Sequence, residues 1–194
     1  MALLASTDIP HPPLEGLFTI DEETGMTGAA QLPGGLLEGR YLLNLDTEDD
    51  DEITIGCAGG VDVSAQASYE PQSIPAEHIA RQLIVRGLVG GHSGVDIHLG
   101  RGNANKLMNR LLWNTSQHLD VRIHCIDGGG LRSAIPREST ATFFVASNDL
   151  TQFEAQLAEQ VAAIRAEYAT TDPELEIVCQ PPVSGDPDSV VPAE

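Results

Sequence analysis

Apolar residues recur along this chain in two rhythms, one of three and four residues and one of two, and the alternation between them outlines the elements. From Asp149 to Tyr168 the residues Leu150, Phe153, Leu157, Val161, Ile164 and Tyr168 fall three or four apart, the period of a helix with one buried face. Ser147 or Asn148 stands where an N-cap belongs. An earlier stretch, NANKLMNRLLWNTSQ, puts Leu107, Met108 and Leu111 on one helical face. Strand-like runs lie at Leu83 to Val89, Val121 to Ile126, Thr140 to Val145 and Glu174 to Cys179. In the second of these, Val121, Ile123 and Cys125 alternate with other residues, and Thr140 to Val145 is predicted as its hairpin-like partner beyond a GGG turn.

The first fifty residues read differently. LEGLFTI (14–20) and YLLNL (41–45) predict two short buried strands, each ending on acidic residues. Between them Thr24 or Thr27 can cap a short helix stopped by Pro33 and the following glycines. From Ile53, ITIGCAGGVDVSAQASYE suggests twisted strands opening a β-rich layer. The order that follows, strands, helix, strands, helix, strand, suits an α+β fold with a mostly antiparallel sheet covered on one face by two helices. The two N-terminal strands look like the edge of a separate, parallel sheet, an incomplete α/β segment. The expected divisions are 1–52 for that segment, 53–183 for the α+β domain and 184–194, rich in Pro, Ser and Asp, for a mobile tail.

Composition narrows the function classes. Twenty-nine acidic residues against ten Lys and Arg give a formal charge of −19, a field that repels nucleic-acid phosphate. Three widely separated cysteines, Cys57, Cys125 and Cys179, match neither a zinc cluster nor a disulfide scaffold and suit a reducing cytoplasm. The opening residues lack the basic region and apolar length of an export signal, and no stretch approaches a membrane span. No nucleic acid and no membrane are therefore expected as partners.

Two groups of residues can carry chemistry. Asp21, Glu22 and Glu23 directly follow one predicted strand and Asp46 the next. Carboxylates at adjacent strand ends share one crevice, where their mutual repulsion favours a bound cation. The same acids can equally flank solvated turns, and the rest of DTEDDDE (46–52) reads as a solvated loop. The second group is Gly90-Gly91-His92-Ser93-Gly94, with Asp96 and His98 after it. Glycines let a ligand approach the backbone, and a histidine there can donate a hydrogen bond to a developing oxyanion; an exposed turn histidine is the alternative.

The stretches FTIDEETGMTGA, LLNLDTEDDDEITIGCAGG, GLVGGHSGVDIHLGRGNANKLMNRLLW and GGGLRSAIPRE resemble, in order, four motifs of the aminoacyl-histidine dipeptidases, relatives of carnosinase among the co-catalytic zinc exopeptidases. The resemblance runs from about His11 to Glu138 and more loosely to Val183. It implies that Glu22 is the general base toward a metal-bridging water, Glu23 a ligand of one metal and Asp46 a ligand of the other. It implies for His92 the lid-domain histidine that binds substrate or polarises its carbonyl, in dimeric relatives often in the neighbouring subunit's site. The implied substrates are short peptides such as Xaa-His dipeptides, and the implied cofactor is a pair of zinc ions, with manganese or cobalt as alternatives.

Two departures accompany the resemblance. Ser133 stands where the family usually has a substrate-contacting Asn, and its side chain is shorter. No stretch matches the family's upstream His-x-Asp pair, its bridging Asp or its downstream His; His11, His78, His118 and His124 do not stand in those contexts. The chain is thus expected to hold the lid, or dimerisation, domain with one flank of a catalytic domain. On its own it is expected to bind no metal tightly, to lack catalysis and to form a homodimer through the lid; a non-catalytic dimerisation module or a degenerate truncated homologue is the alternative reading.

Overall fold

The computed structural model describes residues 2–23, 25–44, 51–56, 59–61, 63–183 and 187–192. The chain divides into two compact units, Met1–Gln66 and Ala67–Glu194.

Among the described residues of the first unit the elements are two single-turn helices, α1 (Ala2–Ala5) and α2 (Thr27–Ala30). The strands expected at 14–20 and 41–45 do not form among the described residues, and Leu45 lies outside them. A strand leaves alternate N–H and C=O groups unsatisfied unless a neighbour pairs them, and among the described residues no neighbouring strand does so here. The apolar side chains accordingly stay in solvent: Phe18 is 75% exposed and Leu42 80%. Residues described between 53 and 70 form no strand either. Thr27 begins α2 rather than capping it; the cap residue is Met26, in a left-handed conformation, and the Thr27 hydroxyl donates to Asp21 Oδ2 at 2.8 Å. Thr24 lies outside the described residues.

The second unit is built on β1 (Gln72–Ser73), β2 (His78–Arg86), β3 (Gly91–His92), α3 (Ala104–Ser116), β4 (Val121–Gly128), β5 (Ala134–Ile135), β6 (Ser139–Ala146), α4 (Leu150–Glu167), β7 (Glu176–Gln180) and β8 (Ser189–Val190). Four of these make an antiparallel sheet in the order β4-β6-β2-β7. Leu83 and Val85 of β2 and Ala141, Phe143 and Val145 of β6 share one face, as alternation demands, and are at most 1% exposed. Against that face pack Leu107, Met108, Leu111 and Leu112 of α3 and Phe153, Leu157 and Ile164 of α4. The expected α+β architecture, one antiparallel sheet under two helices, is therefore present. Phe143 and Phe153 meet with ring centroids 5.6 Å apart at 59°, close to the tilted geometry that ring quadrupoles favour.

Three local features depart from the sequence reading. The register of β4 against β6 shifts between Ile123 and Cys125; this bulge at His124 turns Cys125 off the face that Val121 and Ile123 share, and leaves it exposed. Helix α4 has no side-chain cap; Ser147–Asp149 instead form a 3-10 turn leading into it. In the expected tail, Ser189–Val190 pair with β1, Val191 N–H donates to Ile123 O at 2.7 Å and Val190 is 3% exposed. One apolar side chain with backbone partners suffices to dock these residues. Residues 184–186 and 193–194 lie outside the described ones.

Candidate functional site

The second unit gathers its loop chemistry where β3 meets β5. Gly91 lies opposite Ile135 and His92 opposite Ala134, and Ser93 N–H donates to Ser133 O at 2.7 Å. This short ladder brings His92 and Ser133 together from segments forty residues apart in sequence. The glycines before His92 are required locally: Gly90 has φ +69° and Gly91 φ +142°, and a Cβ on Gly91 would lie 2.6 Å from both Arg101 Nη1 and Asp96 Oδ2.

The His92 ring has a defined tautomer. Gly94 and Val95 N–H both donate to Nδ1, at 3.0 and 3.1 Å, so Nδ1 is the acceptor and the proton of the neutral ring sits on Nε2. The backbone is held as well: His92 N–H donates to Asp96 Oδ2 at 2.8 Å, and Arg101 donates to Gly90 O at 2.7 Å while standing 3.7 Å from Asp96. An exposed imidazole that presents Nε2–H from a braced loop is equipped to donate to a carbonyl oxygen or an oxyanion.

Beside it lies an open depression of about 520 Å³ lined by Ser93, Asn103, Asn105, Arg132, Ala134 and Pro136 among others. Asn103 caps α3 by accepting from Lys106 N–H at 3.1 Å. Two residues on, Asn105 donates to Gly128 O at 3.1 Å, and Ala104 N–H donates to Pro136 O at 3.0 Å. The start of α3 is thus fastened to both ends of the glycine-rich segment, and polar side chains and backbone edges share one concave surface. The sequence reading gives Asn105 and Arg101 no role and Asp96 only a place beside the glycine-histidine group, because their partners are set by the turn of the chain and not by spacing.

The acidic group is placed otherwise. Glu22 and Glu23 are exposed on a turn in the first unit. That turn closes on Asp21, at φ 63°, whose carbonyl accepts from Gly25 N–H at 3.0 Å and Met26 N–H at 2.5 Å. Asp46 lies outside the described residues. Among the described residues no three His, Cys, Asp or Glu side chains come together in a way that could hold a metal ion. Two neighbouring exposed carboxylates leave most of a zinc coordination sphere to water, so the described residues alone do not fit a zinc centre.

The comparisons with known proteins agree with the fold. A peptidase dimerisation domain matches residues 83–172. The cytosol non-specific dipeptidase of Escherichia coli (strain K12) is 45% identical over 148 residues, 76% of this chain and 30% of that protein. The crystal structure of aminoacylhistidine dipeptidase from Vibrio alginolyticus superposes with a TM-score of 0.66 at 41% identity, over 98% of this chain and 39% of that one. The chain therefore spans roughly a third of the length of these relatives. No helix among the described residues is long and apolar enough to cross a membrane.

Proposed function

We propose that this protein is the lid-bearing part of a metal-dependent dipeptidase that hydrolyses short peptides such as Xaa-His, since residues 83–172 match a peptidase dimerisation domain and the chain is similar to dipeptidases. The observation that carries the reading is the His92 ring, whose Nδ1 is occupied by two backbone N–H groups so that Nε2–H faces outward as a donor. A peptide carbonyl lying in the neighbouring depression would take that hydrogen bond, and it would strengthen as negative charge develops on the oxygen. Ser133, fixed through its carbonyl to Ser93 N–H, is the residue between Arg132 and Ala134 of the depression's lining, where a substrate side chain or terminus would pass.

In the same reading Glu22 is the general base, and Glu23 and Asp46 are two of the carboxylates that would hold a pair of metals, zinc by preference and manganese or cobalt as substitutes. The remaining ligands must come from outside the described residues. The divisions 1–52 and 53–183 correspond to a catalytic flank and a lid. A cytoplasmic setting suits the cysteine usage. The lid would pair two copies of the chain, the commonest closed assembly.

Four measurements on the 194-residue chain test these statements. With zinc or manganese present it should not hydrolyse a His-terminal dipeptide, and calorimetry should show no tight zinc binding; metal-dependent turnover lost in Glu22→Gln would overturn the inactivity. Addition of the dipeptide should shift the His92 ring and the amides of residues 128–135 in NMR spectra. An unchanged His92 at saturating dipeptide would remove its substrate role and leave the second reading, a non-catalytic dimerisation module. Sedimentation should give a dimer, and a strict monomer at high concentration would exclude pairing through the lid.

A further inference from the structure

Asp172 is a charged residue with 1% exposure, and neither the sequence motifs nor the site described above uses it. It follows α4 in the turn toward β7, where its N–H donates to Tyr168 O at 2.8 Å and its carbonyl accepts from Leu175 N–H at 3.0 Å. Its carboxylate faces away from that turn. Oδ1 accepts from Val89 N–H at 2.9 Å and Oδ2 from Gly102 N–H at 2.8 Å. Val89 and Gly102 are the two ends of the segment that carries His92, so one buried carboxylate holds both.

A carboxylate taken out of water is costly unless donors satisfy it, and hydrogen bonds to a charged acceptor are stronger than neutral ones. The two N–H groups meet that need, and in return the loop closes at a fixed separation. Gly102 is part of the fit: a Cβ there would lie 2.5 Å from Leu88 Cδ2 and 3.4 Å from Asp172 Oδ2. Inside the loop the Asp96, Arg101 and Gly90 interactions set its shape, but they do not attach it to the sheet and helices. Attachment comes from Asp172 on one side and from the β3–β5 ladder on the other.

We propose that Asp172 is a positioning residue for His92, a buried clasp that fixes where the loop leaves the domain and so where Nε2–H points. An error of about an ångström in a donor's position is enough to forfeit most of its effect on a reacting carbonyl. The proposal rests on the reading of His92 as the polarising histidine, but its test does not require dipeptide hydrolysis.

The test uses the 194-residue chain and NMR. In Asp172→Asn one of the two acceptors becomes a donor, and the Ser93 amide, which reports the docking of His92 beside Ser133, should exchange about tenfold faster or more. The amides of Phe143 and Val145 should change far less. Ile164→Val, a plain core substitution, should instead speed all three together. Equal acceleration of Ser93, Phe143 and Val145 in Asp172→Asn, or an unchanged Ser93, would overturn the proposal.

Should that variant not fold, the wild-type chain still decides the matter. Through-hydrogen-bond couplings from the Val89 and Gly102 amide nitrogens to the Asp172 carboxyl carbon should be present, and their absence would overturn it. A His92 ring that ignores added dipeptide while the loop amides behave as expected would remove the catalytic reading and leave the clasp standing.

Discussion

The first and second units are both rich in apolar residues, yet only one of them buries these residues. Phe18, Ile20, Leu42 and Leu43 are between 73% and 80% exposed, while Leu83, Val85, Phe143 and Val145 are at most 1% exposed. The runs LEGLFTI and QLIVRGLV look alike as strings. The difference lies in what each finds beside it: β2 has β6 on one side and β7 on the other, whereas residues 14–20 have no strand neighbour among the described residues. An apolar run is a strand only when a second segment satisfies its backbone, and burial follows from that pairing.

The largest effect that can break this comparison is hydrogen exchange. Amides of Leu83, Phe143 and Val145 should be protected by about a thousandfold or more over those of residues 14–20 and 41–44, since core strands open only with the whole unit. Comparable protection in both sets would mean that the first unit has found partners in solution.

Substitution sharpens the comparison at single residues. Phe143→Ala removes a ring packed on Phe153 in the core and should cost about 3–5 kcal/mol by denaturant unfolding. Phe18→Ala, by contrast, should change stability by no more than about 0.5 kcal/mol. A loss of several kcal/mol from Phe18→Ala would show that its exposure does not persist in solution.

Within the second unit the bulge makes a smaller contrast. Burial pushes the Cys179 thiol up to about 11, whereas Cys125 is exposed. At mildly alkaline pH Cys125 should be alkylated first and Cys179 slowly, as mass spectrometry of peptides would resolve. The folded state holds the Cys179 proton more tightly than the unfolded chain does. Its contribution is therefore full below the ordinary thiol range and is lost as pH rises from about 9 toward about 11.

The smallest expected effect is at the exposed pair Arg86 and Glu176, 2.7 Å apart across β2 and β7. Its hydrogen bond to Arg86 holds the Glu176 carboxyl below its usual range and holds the guanidinium above its own. The benefit exists above the ordinary carboxylate range and disappears as pH falls through the lowered value. Arg86→Gln should raise the Glu176 titration midpoint, read from carboxyl carbon shifts, with no resolvable change in unfolding, because water screens an exposed pair.

Much of the second unit was legible in the amino-acid sequence. The three-and-four spacing from Leu150 to Tyr168 and the Leu107, Met108, Leu111 face mark helices α4 and α3, and four apolar runs mark β2, β4, β6 and β7, because such periodicity is a local property of the chain. The glycines before His92 likewise marked a turn where the backbone lies open, and Gly90 and Gly91 both take positive φ. The strands expected at 14–20 and 41–45 were illegible for the opposite reason, since a strand depends on a partner that spacing does not reveal. Tertiary structure alone decided that the bulge at His124 turns Cys125 outward and that Ser189–Val190 dock on β1. It alone set His92 beside Ser133 and closed the loop on Asp172, seventy residues from Gly102. Hydrogen bonds between residues so far apart are determined by how packed elements meet, and that is a property of the folded core rather than of any local run of residues.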